Sequence, residues 1–170
     1  MLFRSRHHLI HAVEASLKRL KTDYIDLYQI HWPDPNTPFE VTMKAMDELV
    51  KSGKVRYIGV SNFTRKQMTE CLKARQINSL QPPYNMFMRD IERDFSFCRK
   101  NGIGILAYGP LAYGLLTGKF TRETTFPPND WRSGRLFPDP GDWQYHIDLF
   151  HGKQFRKNLA IVEKIGRAHV

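Results

Sequence analysis

The sequence predicts an α/β fold with parallel strands, closed as a barrel rather than left as an open sheet. Three observations carry this. Helical and strand patterns alternate along residues 5–108 with short links, the order expected of parallel strands joined by right-handed crossovers. Each strand pattern ends in polar or aromatic residues, as strands do where an α/β enzyme builds its site. No G-x-G-x-x-G turn, the usual mark of an open doubly wound sheet, occurs in the chain, which favours the (β/α)8 barrel. The patterns supply about four strands and four helices, half of the eightfold set.

The elements follow in order. Leu9, Ile10, Val13, Leu17 and Leu20 give residues 5–20 one apolar helical face. Asp23-Tyr24-Ile25-Asp26-Leu27-Tyr28-Gln29-Ile30 then reads as a strand that reaches His31 and stops at Pro33 and Pro35, which cannot extend a ladder. Thr37-Pro38-Phe39-Glu40 has the form of a capping box with proline at the first helical position. Phe39, Met43, Met46, Leu49 and Val50 face one way along the helix it opens, and Gly53 ends that helix. Val55-Arg56-Tyr57-Ile58-Gly59-Val60 is the next strand, closing at Ser61-Asn62. Thr64-Arg65-Lys66-Gln67 is a second capping box, before a helix through Met68, Cys71 and Leu72. A short strand at Ser79-Leu80-Gln81 stops at Pro82-Pro83, and a helix over Ile91 to Lys100 leads through Asn101-Gly102 into a strand over 103–108.

Beyond Thr121 the periodicity fails. Residues 121–152 are rich in proline, glycine and aspartate, a loop of roughly 30 residues in which Trp131, Phe137, Trp143, Tyr145 and Phe150 predict packing against something. Gln154 to Ile165 reads as a helix with Phe155, Leu159, Ile161 and Val162 apolar.

Composition narrows the function classes. The net charge of 26 − 17 = +9 invites a nucleic-acid reading, but the basic residues are scattered and form no stripe or known motif, so no nucleic-acid partner is expected. A basic surface that attracts an anionic small molecule accounts for the charge equally well. No apolar run reaches the roughly 18 residues needed to span a bilayer, and the first residues lack the apolar core of a secretory signal. Cys71 and Cys98 are not in a metal-ligand spacing, so neither a disulfide framework nor a metal site is expected, and a reduced, cytoplasmic setting fits best.

In a parallel barrel the strand tips share one rim. His31, Ser61 with Asn62, Gln81 and Tyr108 each have an ordinary structural reading: a satisfied histidine, a helix cap, a surface amide, a half-buried ring. Four such explanations in register are less economical than one shared ligand. The hydroxyl of Ser61 and the carboxamides of Asn62 and Gln81 could hold an amide edge. Tyr108 could stack on a flat ring, and an N–H of His31 could meet a carbonyl oxygen as it gains negative charge. These groups together describe a planar carboxamide heterocycle beside a reducible carbonyl.

Asp23-Tyr24-Ile25-Asp26-Leu27-Tyr28-Gln29-Ile30-His31-Trp32-Pro33, Gly59-Val60-Ser61-Asn62-Phe63 and Ala107-Tyr108-Gly109-Pro110-Leu111 resemble the aldo-keto reductase family, in the family's order from Ser5 to about Lys119. The resemblance implies a (β/α)8 barrel and hydride transfer from NADP(H) to a small aldehyde or ketone substrate. By position, His31 is similar to the histidine that hydrogen-bonds the substrate carbonyl. Ser61, Asn62 and Gln81 resemble the residues holding the nicotinamide carboxamide, and Tyr108 resembles the ring stacked on it. Gly109, Leu111 and Lys119 fall where the family's loop covers the pyrophosphate, and its glycines permit close backbone approach to phosphate. The family's proton-donating tyrosine, with its lysine and aspartate, has no match here and is expected upstream, and the adenosine-phosphate site downstream. Residues 1–164 are therefore expected to be a partial barrel domain, inactive alone, and Ile165-Gly166-Arg167-Ala168-His169-Val170 a non-native tail. A cofactor-binding regulatory subunit on the same barrel, similar to potassium channel beta subunits, is the alternative.

Overall fold

The computed structural model describes residues 6–136, 141 and 144–167. Ser5, Phe137, Trp143 and the final Ala168, His169 and Val170 lie outside the described residues. The chain divides into two compact units, Met1–Tyr108 and Gly109–Val170.

The first unit contains α1 (Arg6–Leu20), β1 (Ile25–Ile30), α2 (Phe39–Lys51), β2 (Val55–Ser61), α3 (Arg65–Ala74), β3 (Ser79–Gln81), α4 (Phe95–Lys100) and β4 (Gly104–Ile105). The four strands form one sheet in the order β1-β2-β3-β4, all parallel, as expected. Ile30 pairs with Val60, Ser61 with Gln81 and Leu80 with Ile105, so the strand ends are level. Because side chains alternate along a strand, Ile30, Ile58, Val60 and Leu80 face the helices, where they meet Val13, Leu17, Met43, Met46, Leu49, Met68, Cys71 and Cys98 in one core. On the opposite sheet face Tyr57 is 57% and Leu106 41% exposed, while Ser61 and Ser79 are buried.

Two helix ends match their sequence signals. At Gly53 (φ +74°) the amides of Gly53 and Lys54 bond the carbonyls of Val50 and Leu49, the paired bonds of a Schellman motif. Thr64 and Gln67 form a reciprocal capping box at α3.

Four details differ from expectation. Thr37 does not cap α2: its hydroxyl donates to Asp34 Oδ2 at 2.9 Å, Pro38 holds the N-cap position in extended backbone, and Glu40 pairs with Lys44. Asp34 captures Thr37 because it already organises a turn by accepting from the Asn36 amide. The strand expected over 103–108 shrinks to β4 because Pro82 and Pro83 have no N–H to give. Across the prolines pairing continues through carbonyls, with Leu106 N–H donating to Leu80 O and Tyr108 N–H to Pro82 O, until Tyr84 N–H donates back to Tyr108 O. The helix expected over 91–100 is split into a 3-10 turn, Asp90–Asp94, and α4, with Arg65 bonded to Asp94 at the junction. Leu20, expected on the apolar face of α1, is exposed.

The second unit holds a tight 3-10 segment at Ala112–Thr117, a 3-10 turn at Trp131–Ser133, α5 (Gln144–Asp148) and α6 (Gly152–Arg167). Of the aromatics expected to pack in residues 121–152, Trp131 and Phe150 do, whereas Tyr145 is exposed. Phe126 and Phe150 meet edge to face with centroids 5.4 Å apart, Phe120 joins both, and Trp131 packs on Phe150. Arg132 lies over Phe126 at 4.6 Å, chelates the Asp130 carboxylate and donates to Tyr113 O. On α6, Phe155 and Val162 are buried and Leu159 half-buried, but Ile161 is exposed. Asn158 takes the inward position, donating to Leu149 O and accepting from Gln154. Among the described residues, no helix is long and apolar enough to cross a membrane.

Candidate active site

Parallel pairing in register delivers His31, Ser61, Asn62, Gln81 and Tyr108 to the same end of the first unit's sheet. Asn62 holds them together. It leaves β2 in the left-handed region (φ +62°), which asparagine tolerates better than most residues. From there its Nδ2 donates to the backbone carbonyl of His31 and to Ser61 Oγ, both at 3.1 Å, while its Oδ1 accepts from the Tyr108 hydroxyl at 2.9 Å. One side chain therefore ties the ends of β1 and β2 to the segment after β4. Ser61 is buried and donates to Gln81 O at 2.9 Å, and the Asn62 amide donates to the same carbonyl.

The cap reading of Ser61-Asn62 falls, because Thr64 caps α3. Tyr108 is half-buried, and burial pushes its hydroxyl pKa up, so it stays a proton donor toward Asn62 at neutral pH. The His31 side chain is exposed, beside Trp32 at a centroid distance of 6.2 Å. Gln29 was not singled out from the sequence, yet its Nε2 approaches Gln81 Oε1 at 3.4 Å. The period of two in Gln29-Ile30-His31 could have found it, since Gln29 shares the His31 face. Below the site, a Cβ on Gly59 would stand 2.1 Å from Ser79 Oγ and 3.2 Å from Ser79 O, so a side chain there would displace the Ser79 hydroxyl and crowd the approach of β2 to β3.

The donor set fits a carboxamide. Both hydrogens of Asn62 Nδ2 are used internally, which leaves Asn62 Oδ1 and Ser61 Oγ as acceptors with a second lone pair for an incoming NH2. The Gln81 Nε2 hydrogens can meet the amide oxygen. Asn62 thus acts as organiser and acceptor, a narrower part than its four-way hydrogen-bonding capacity suggested.

Gly109, Leu111 and Lys119 belong to the second unit. Their segment has unusual backbone: Gly109 (φ +62°), Gly114 (φ +98°) and Gly118 (φ +72°) are left-handed, and so are Ala112 (φ +48°) and Tyr113 (φ +54°). Non-glycine residues in that region cost about 1–3 kcal/mol each and persist only where neighbours hold them. Ala112 is fully buried. Tyr113 packs edge-on against Trp131 at 4.8 Å, and its hydroxyl lies 3.0 Å from Nδ1 of the buried His146. Burial lowers the His146 pKa, favouring the neutral ring. Leu111 and Lys119 are exposed.

The fold and these strand tips define a class: an α/β protein of parallel-barrel type with a polar site at the strand ends. The sequence profile of the aldo/keto reductase family matches residues 4–169, and the chain belongs to that family. It is similar to the aldo-keto reductase YhdN of Bacillus subtilis, 43% identical over 169 residues that make up 98% of this chain and 47% of that protein. The glycerol dehydrogenase AKR11B4 of Gluconobacter oxydans superposes with a TM-score of 0.83 at 40% identity, over 95% of this chain and 46% of that one. An aldo/keto reductase from Klebsiella pneumoniae, solved in complex with NADP and acetate, superposes with a TM-score of 0.59 at 34% identity over 68% of this chain and 41% of that one. The chain spans about half the length of the curated relatives it matches.

Proposed function

We propose that this polypeptide carries part of the site of an NADP(H)-dependent reductase of aldehydes and ketones. One observation carries the reading: the Asn62-centred cluster of Ser61, Gln81 and Tyr108, with His31 at its edge, presents carboxamide partners, an aromatic face and an imidazole at one sheet end. The binding of NADP by the Klebsiella protein supports the choice of cofactor.

In this reading a bound nicotinamide would supply the hydride for the carbonyl carbon, and this chain's residues hold and orient it. Ser61, Asn62 and Gln81 orient its carboxamide, and Tyr108 offers its ring face, fixed in rotation by the bond from its hydroxyl to Asn62. His31 donates a hydrogen bond to the substrate oxygen as negative charge builds there, a stabilisation that favours the transition state over the ground state. In the second unit, Gly109, Leu111 and Lys119 belong to the pyrophosphate loop, where the left-handed glycines permit close backbone approach to phosphate and Lys119 adds positive charge. A cytosolic setting is supported by two buried free thiols, with burial pushing the Cys71 pKa up to about 11.

Saturation-transfer NMR with NADPH tests the reading. Nicotinamide protons should receive magnetisation from the chain, and Gln81→Ala and Tyr108→Ala should each weaken that transfer. Transfer to the adenine alone, or transfer unchanged in both variants, would refute it.

A further inference from the structure

The outward face of α1 carries a feature that the reductase reading does not use. His7 and His11 are four residues apart, both exposed, and their ring centroids lie 4.3 Å apart with an interplanar angle of 63°. Residues at i and i+4 of a helix stand one above the other, so the two imidazoles can present nitrogens to one point. Imidazole is a good ligand for zinc, copper and nickel when neutral.

Affinity of nitrogen ligands rises through the first-row divalent ions to copper and falls again at zinc. The rings meet in an edge-type contact at 4.3 Å, near enough for rotation about the side-chain bonds to bring one nitrogen of each to a shared ion. Square-planar and tetragonal sites with nitrogen and oxygen ligands are those of Cu2+ and Ni2+, and tetrahedral ones those of Zn2+. We propose that His7 and His11 form a two-imidazole chelate for a tetragonal divalent ion of the copper or nickel class, with water filling its remaining positions.

The neighbourhood admits such an ion. Arg6 is engaged by Glu48 at 2.7 Å, so its charge is countered rather than aimed at the pair. Glu14, one turn further on, is held by Lys54. Among the described residues no group of three or more histidine, cysteine or acidic side chains could hold a metal, so the pair stands as a bidentate surface chelate and not as a closed structural site. The other described imidazoles are placed differently. His8 is half-buried with interactions of its own, His31 is exposed beside Trp32 at the strand tips, His146 is buried against Tyr113, and His151 meets Arg132 O at 2.7 Å. The ion would bridge the first two turns of α1, so binding stabilises the folded helix by mass action.

The test is a Cu2+ titration of the purified chain, followed by electron paramagnetic resonance and by isothermal calorimetry. One Cu2+ should bind with two equatorial nitrogens. His7→Ala and His11→Ala should each weaken it roughly tenfold or more, the loss expected when a chelate becomes a single ligand, while His8→Ala should leave it unchanged. Both substituted side chains are exposed, and circular dichroism verifies that helix content is kept. The double variant His11→Ala with Ala15→His keeps the histidine count but sets the second ring about 12 Å along the axis from His7, so it should bind as weakly as His11→Ala. Ni2+ should follow the same pattern, and Zn2+ should bind more weakly than Cu2+. Absence of binding, equal binding by wild type and His7→Ala, or full binding by the double variant would each overturn the proposal.

Discussion

The two units are held by different kinds of interaction. Met1–Tyr108 repeats a strand and a helix, and its core is aliphatic and sulfur-containing: Ile58, Val60 and Leu80 against Met43, Met46 and Met68. Gly109–Val170 has no strand among its described residues, and its order comes from aromatic edges, one chelated arginine, a part-buried Tyr113–His146 pair and several left-handed residues. The first design spreads stability over many interchangeable apolar contacts. The second concentrates it in a few specific polar and aromatic ones, which cannot be exchanged without leaving a partner unmatched.

The largest expected effect concerns whether the strand tips of the first unit suffice for chemistry. In the proposed reading they offer His31 as a hydrogen-bond donor, while the proton-donating tyrosine that the family resemblance implies is expected outside these residues, and general acid help contributes about 10² to 10⁴ in rate. The 170-residue chain should therefore reduce an aromatic aldehyde with NADPH at least about 10²-fold more slowly than whole-length relatives, followed by loss of NADPH absorbance. A normal rate would show that the rim acts without that acid.

Next comes stability. Leu80 is fully buried on the third of four strands, so Leu80→Ala should cost about 2–5 kcal/mol, read from urea unfolding with hydrogen exchange to locate the loss in the first unit. Arg132→Met keeps a long side chain but removes the guanidinium donor from Tyr113 O and from the Asp130 carboxylate, which keeps only the backbone N–H of residue 132. It should cost about 1–3 kcal/mol, with lost protection confined to the second unit. Equal spread of either loss across both units would erase the distinction drawn above.

This contrast also explains what could be read from the amino-acid order. Periods of 2 and 3.6 record burial, so the strands, the helices and the shared end of His31, Ser61, Asn62, Gln81 and Tyr108 were legible in the first unit. Periodicity says nothing about which of several polar partners a side chain chooses. Thr37 turning to Asp34, and Asn62 spending its Nδ2 hydrogens on His31 O and Ser61, were invisible for that reason. In the second unit the aromatics signalled packing, but pairing Tyr113 with His146 requires a fold around residues 33 apart, which no local pattern encodes.

The pH dependence sharpens the comparison further. His146 is buried and its folded pKa lies below the ordinary 6.5. A group depressed on folding contributes stability above its unfolded pKa and loses it as pH falls toward the folded value. The second unit should therefore loosen as pH drops below about 6.5, before carboxylates such as Glu48, whose pKa the hydrogen bond from Arg6 holds below its ordinary 4.5, begin to protonate in the first. Hydrogen exchange at pH 7 and pH 5, corrected for intrinsic rates, should show lost protection around Tyr113 and His146 with the β1–β2 ladder unchanged. Simultaneous loss in both would contradict the assignment.

The smallest expected effect lies inside the first unit, between two helix starts that read alike. Thr37-Pro38-Phe39-Glu40 and Thr64-Arg65-Lys66-Gln67 both match a capping box, but only the second forms one: Gln67 Oε1 accepts from the Thr64 amide at 2.8 Å, while Glu40 turns outward to Lys44. The difference begins at Pro38. Its ring fixes φ near −56° and its missing N–H needs no partner, so it starts α2 in the N-cap position without help from a side chain. Thr37, displaced one residue outward, is then available to Asp34. Gln67→Ala should therefore cost about 0.5–1 kcal/mol, because the Thr64 amide loses its partner. Glu40→Ala removes only an exposed pair and should leave the urea midpoint almost unchanged. Equal losses would mean that Glu40 serves the start of α2 after all, and that the two motifs work as similarly as they read.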